Sequence, residues 1–148
     1  MFNVFQKFKT KDKPKVAFDP ILVIEDNALD RTLIQRILEK NHYTVLTAVD
    51  GEGGIKLACE HKIDLILLDY HLPGVNGIEV CEILKKDIRT KNVPVIFLTL
   101  TEGGEIIHFY EAGAEVYLHK PIDPQILLKE VKLILEEFKS KKESGDNS

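Results

Sequence analysis

A chain of 148 residues with 44% hydrophobic and 30% charged side chains has the balance of one folded globular domain and lacks the length for two full ones. Its longest apolar runs, 65–68 and 93–98, are far too short to cross a bilayer, and no apolar stretch with a small-residue cleavage site opens the sequence. Cys59 and Cys81 make neither a disulfide framework nor a thiolate metal site; a reducing cytoplasm is the expected compartment, with both as core thiols on helix faces. The net charge of −4 divides unevenly. Residues 1–16 hold five lysines against Asp12, and 139–148 hold three lysines against two acids, so the body from 17 to 138 carries −9. An acidic body speaks against direct DNA binding, which requires neutralising phosphates, and suits a cation site or a basic partner.

The first 19 residues read as a basic extension ending at Asp19-Pro20, where Phe2, Phe5 and Phe8 recur at a spacing that suits a short amphipathic helix. A solvated arm lying on its own domain is the leading expectation there, and contact with a partner groove or a membrane surface the lesser one. Strands are then expected over 21–25, 44–48, 65–69, 93–98 and 116–119, all apolar and β-branched, several without a polar face. Between and after them come helical patterns. Leu29, Leu33, Ile34, Ile37 and Leu38 share a face; 51–59, 78–84 and 105–112 form shorter helices; Leu127, Val131, Ile134, Leu135 and Phe138 share the last face. Asp123 as N-cap and Pro124 at the first helical position open that last helix. Strand and helix alternating five times specify an α/β domain with a doubly wound parallel sheet over 20–139. Residues 140–148 read as a disordered polar tail.

In such a sheet ligands bind beyond the carboxyl ends of the strands. The first strand ends in Glu25-Asp26, the third in Asp69 and the fourth near Thr99, and Lys120-Pro121 follows the fifth. Three converging carboxylates repel one another by a few kcal/mol per close pair at a surface-like dielectric unless a cation neutralises them. All-oxygen ligands with open water positions suit Mg²⁺. A Mg²⁺ and Lys120 together would make a counter-charge for a phosphoryl group, with an aspartate as its acceptor.

These residues, in this order and spacing, resemble the receiver domain of bacterial two-component response regulators. The resemblance rests on Glu25-Asp26, LILLDYHLPGVNG (65–77), VPVIFLT (93–99), Gly113-Ala114 and YLHKP (117–121). It implies a flavodoxin-like (βα)5 fold with strand order 2-1-3-4-5. It implies that Asp69 is phosphorylated from a histidine kinase or a histidine phosphotransfer protein. Mg²⁺ would be held by Asp26, Asp69 and the backbone carbonyl of His71, with Glu25 acting through water. Thr99 would reach for the phosphoryl oxygen, the rotamer of Tyr117 would follow it, and Lys120 would bind the phosphate, next to a Lys120-Pro121 bond that is usually cis. The implied output is a changed binding surface in a stand-alone, single-domain regulator, whose own phosphorylation and dephosphorylation are its only chemistry. The effector is not implied.

Some residues depart from the pattern. Leu100 stands where Ala or Gly is usual, which narrows access to Asp69. The stretch from Thr99 to Gly113 is about one residue short, with Gly103-Gly104 where the fourth helix should start, and glycine weakens a helix start. His71 flanks the acceptor and is placed to tune phosphoryl lifetime. A pseudo-receiver that acts as an interaction module without phosphorylation is the alternative. A flavodoxin-like cofactor binder is disfavoured because the loop carrying Glu25, Asp26 and Asp30 lacks phosphate-cradling character. A phosphatase of the haloacid dehalogenase type would require a second aspartate where His71 stands.

Overall fold

A computed structural model of the protein describes residues 17–100 and 105–144. The Phe2/Phe5/Phe8 arm, Gly103-Gly104 and the last four residues lie outside the described residues. Ten elements alternate: β1 Ile21–Ile24, α1 Ala28–Lys40, β2 Val45–Ala48, α2 Gly51–Glu60, β3 Leu65–Asp69, α3 Gly77–Lys86, β4 Val95–Thr99, α4 Ile106–Glu111, β5 Val116–His119 and α5 Pro124–Glu143. The strands form one parallel sheet in the order β2-β1-β3-β4-β5. This is the order and fold class expected from the sequence. The order reverses between β1 and β3, opening a crevice at their carboxyl ends.

Every residue of β1, β3 and β4 is buried, because helices cover both faces of the sheet. Alternation along each strand divides the core into two layers. Leu22, Ile24, Ile66, Leu68 and Phe97 pack with Ala58, Val80, Cys81, Leu84 and Phe109 of α2, α3 and α4. Ile21, Val23, Leu65, Leu67, Ile96 and Leu98 pack with Ile34 and Leu38 of α1 and with Leu127, Val131, Ile134 and Leu135 of α5. Cys81 is a core thiol bonded to the Ala112 carbonyl (3.3 Å), and burial pushes it up to about 12. Cys59 is only half-buried, 3.8 Å from Asp87.

Four helices begin on a side chain that accepts a backbone N–H: Asn27 for α1, Asp50 for α2, Asn76 for α3 and Asp123 for α5. Such caps stabilise a helix by about 1 kcal/mol each. Helix α4 has no side-chain cap and only six residues, in keeping with the weak start read from its sequence. β4 begins two residues later than expected, since the Val93 amide bonds Thr90 in a turn (3.0 Å) and Pro94 has no N–H to offer. At the other end, the expected polar tail starts as helix. α5 runs on to Glu143, where Lys142 reaches Asp64 (3.2 Å) and Lys139 reaches the Ala17 carbonyl (3.1 Å) and stands over the Phe18 ring.

Candidate functional site

The crevice is lined by residues that the strand ends hold in fixed positions. After β1, the Glu25 amide still bonds the Ala48 carbonyl (3.0 Å), so Glu25 stays sheet-like and fully buried before the chain turns at exposed Asp26. Asp69 closes β3 at 4% exposure. The Tyr70 amide bonds Leu98, and the Gly77 amide bonds Tyr70, so the loop after Asp69 is pinned to β4 at one end and to the start of α3 at the other. Gly77 is required there: a Cβ would stand 2.5 Å from the Asp69 carbonyl oxygen. Thr99 is fully buried at the end of β4, and its carbonyl accepts the Lys120 amide (2.8 Å). The Lys120-Pro121 bond is cis.

The geometry brings Glu25, Asp26 and Asp69 together. One carboxylate oxygen from each lies within 4.8 Å of the other two. Oxygens sharing one Mg²⁺ at about 2.0–2.1 Å stand roughly 3–4 Å apart, so small side-chain movements would close this set on the ion. The donors are hard and anionic, two are buried and exposed Asp26 leaves room for water, so the residues present fit Mg²⁺. The Lys120 ammonium, whose side chain is 10% exposed, makes a close ion pair with Glu25 and lies 3.4 Å from Asp69 Oδ2. Burial, then the Asp69 carboxylate, push the Glu25 carboxyl above its ordinary range, while Lys120 opposes them. Burial works against the Lys120 charge, but Glu25, Asp69 and Asp30 outweigh it and hold its ammonium above the usual lysine value.

The other expected residues are placed as follows. The His71 amide donates to Asp69 Oδ1 (3.2 Å), while its imidazole is exposed and packs edge-on against Tyr70. Tyr117 is half-buried among Phe109, Tyr110 and His119. Leu100 is 69% exposed, so burial does not lock it across Asp69.

Two residues outside the motif complete the site. Arg31, in the first turns of α1, donates to the backbone carbonyls of Glu25 (2.9 Å) and Asp26 (3.2 Å) and fixes the acidic loop. Asp30 Oδ2 stands 3.4 Å from Lys120 Nζ. A helix beginning directly after a strand-end acid pair is the signal that could have found them, since its first turn must face that pair. A third group, Phe109, needed tertiary structure. It stacks on Phe97 (4.7 Å) and meets Tyr70 (5.3 Å) and Tyr117 edge-on or tilted, joining the loop after Asp69 to α4 and β5.

Residues 21–132 match the family model described as the response regulator receiver domain. The response regulator PleD of Caulobacter vibrioides is 36% identical over an alignment of 132 positions that covers 84% of this chain and only 29% of PleD. The protein PilH of Pseudomonas aeruginosa is 36% identical over 117 residues, 78% of this chain and 96% of PilH. Among solved structures, the receiver domain of the sensor histidine kinase PA1611 from P. aeruginosa PAO1 has a magnesium ion coordinated in its active-site cleft. It superposes with a TM-score of 0.76 at 28% identity, covering 81% of this chain and 99% of that one. No helix among the described residues is long and apolar enough to cross a membrane. With the family model matched over most of the chain and the fold shared with a solved receiver domain, the chain belongs to the receiver-domain family of two-component response regulators.

Proposed function

We propose that this chain is a phosphoacceptor switch whose Asp69 takes a phosphoryl group from the phosphohistidine of a histidine kinase or a phosphotransfer protein. The observation that supports it best is the meeting of Glu25, Asp26 and buried Asp69 in one oxygen cluster with the Lys120 ammonium beside it. An Asp69 oxygen attacks phosphorus, the P–N bond breaks, and the imidazole leaves with that electron pair and takes up a proton. Mg²⁺, held by Glu25, Asp26, Asp69 and the His71 carbonyl, would neutralise charge on the phosphoryl oxygens. Lys120 offers N–H donors to those same oxygens. The aspartyl phosphate adds nearly two negative charges and new acceptor oxygens beside the end of β4. Thr99 turns toward it, Tyr117 takes up the vacated space, and the face built from α4 and β5 changes for a partner protein.

The chain would act as a single-domain regulator that docks on its effector, a reading supported by the match along 96% of PilH. The acidic body speaks against a direct DNA partner. Incubation with acetyl phosphate or a phosphorylated phosphotransfer protein, with Mg²⁺, should add one phosphate by intact mass. Asp69→Asn and chelator should each abolish it. An unmodified wild type, or equal modification of Asp69→Asn, would overturn the proposal in favour of a phosphorylation-independent interaction module.

A further inference from the structure

Lys120 is more crowded with acids than phosphate binding requires. Its ammonium contacts Glu25 and lies at the same 3.4 Å from Asp69 Oδ2 and Asp30 Oδ2. Glu25 and Asp69 line the floor of the crevice and are buried, whereas the Asp30 side chain is 42% exposed and sits at its mouth. Asp30 is also held firmly. Its amide bonds the Asn27 cap (2.9 Å), and the next residue, Arg31, clamps α1 to the carbonyls of Glu25 and Asp26. The carboxylate of residue 30 therefore projects from a fixed first turn toward the Lys120 ammonium.

We propose that Asp30 is a positioning residue that shares the Lys120 ammonium with the acceptor pocket, and that the site thereby discriminates among phosphoryl donors by charge. Two consequences follow from this geometry. Asp30 pulls on Lys120 from the mouth, against the pull of Glu25 and Asp69 on the floor, which leaves those two more of their negative charge for a cation. It also places a negative charge where a small anionic donor must enter, and it competes for the positive charge that the incoming phosphoryl oxygens would otherwise meet. A multiply charged donor is penalised more than a singly charged one.

The donor part rests on the phosphoacceptor reading; the cation part does not. Mg²⁺ affinity of the full chain is measured by calorimetry for wild type, Asp30→Asn and Asp30→Glu. Phosphorylation at saturating Mg²⁺ is timed with acetyl phosphate and with the less negatively charged phosphoramidate. Asp30→Asn should weaken Mg²⁺ binding and speed acetyl phosphate, each by roughly two- to five-fold on the scale of a partly exposed ion pair, with a smaller gain for phosphoramidate. Asp30→Glu should restore wild-type values for both. An Mg²⁺ affinity equal in wild type and Asp30→Asn overturns the inference, as does a gain equal for the two donors or a glutamate that fails to rescue. A wild type that binds Mg²⁺ but accepts no phosphoryl group from any donor overturns the phosphoacceptor reading, while the Mg²⁺ comparison still decides the role of Asp30.

Discussion

Replacing Gly77 by alanine tests whether the acceptor loop is held by backbone contact with α3. The added Cβ would meet the Asp69 carbonyl oxygen at 2.5 Å, the Tyr70 Cα at 2.8 Å and the Phe97 ring at 3.1 Å. Two of the three are main-chain atoms, fixed by the Tyr70–Leu98 and Gly77–Tyr70 hydrogen bonds, so no side-chain rotation relieves the clash. Ordinary contact requires the start of α3 or the loop to retreat by close to 1 Å. Overpacking of this kind costs about 1–3 kcal/mol, and the pinned backbone places Gly77 at the upper end. Alanine recovers up to about 1 kcal/mol of that through its lower conformational entropy in a helix. The net loss should be about 2 kcal/mol, or roughly 4–8 °C in Tm for a chain of this size. Because the displaced atoms belong to Asp69 and its neighbour, Mg²⁺ affinity should fall as well. Gly74→Ala is the control. Gly74 has φ +77° and nothing within 4 Å of its would-be Cβ, so it should cost only the left-handed strain of about 1 kcal/mol and leave Mg²⁺ binding alone. Thermal melts and Mg²⁺ titrations of both variants decide the matter. A Gly77→Ala protein with wild-type Tm and Mg²⁺ affinity would refute the reasoning.

Two further outcomes are expected. The Glu25 carboxyl is raised in the folded, metal-free protein, so above the ordinary carboxylate range the folded state holds a proton that the unfolded chain has released. Metal-free stability should therefore fall as pH rises from about 5 to 8, while Mg²⁺ affinity rises because the ion displaces that proton; Glu25→Gln should flatten both trends in urea and calorimetric titrations. Phe109 is the buried side chain of α4 and stacks at 4.7 Å on Phe97, so Phe109→Ala should cost about 3–5 kcal/mol in urea melts and speed amide exchange in α4 first. A loss below about 1 kcal/mol would show that α4 is held by something else.

The order of elements, the burial of the three central strands and the carboxylate at the end of β3 could all be read from one dimension. Apolar runs such as 65–69 have no polar face, and only a sheet covered on both sides buries them. Punctuation by Asp123-Pro124 is a local signal of the same kind. The motif residues were legible because each sits at a strand end, where hydrophobic periodicity stops and a carboxylate, hydroxyl or lysine begins. Boundaries were less legible where long-range contacts decide them. α5 continues to Glu143 because Lys139 and Lys142 find Ala17 and Asp64, more than seventy residues away in the chain. β4 starts late because the Val93 amide is taken by a turn.

The site shows the same division. Residue types and spacing pointed to a hard-cation, phosphoryl-accepting chemistry, the one proposed for this chain, since strand-end carboxylates and a lysine before proline are properties of the chain itself. Which acids share Lys120, how deeply Glu25 is desolvated, and which ring joins Tyr70 to Tyr117 depend on the packing of α1 and α4 against the sheet. Coulombic and packing energies change over a few ångströms, and only the folded chain sets those distances between Asp30, Arg31, Phe109 and residues far from them in sequence.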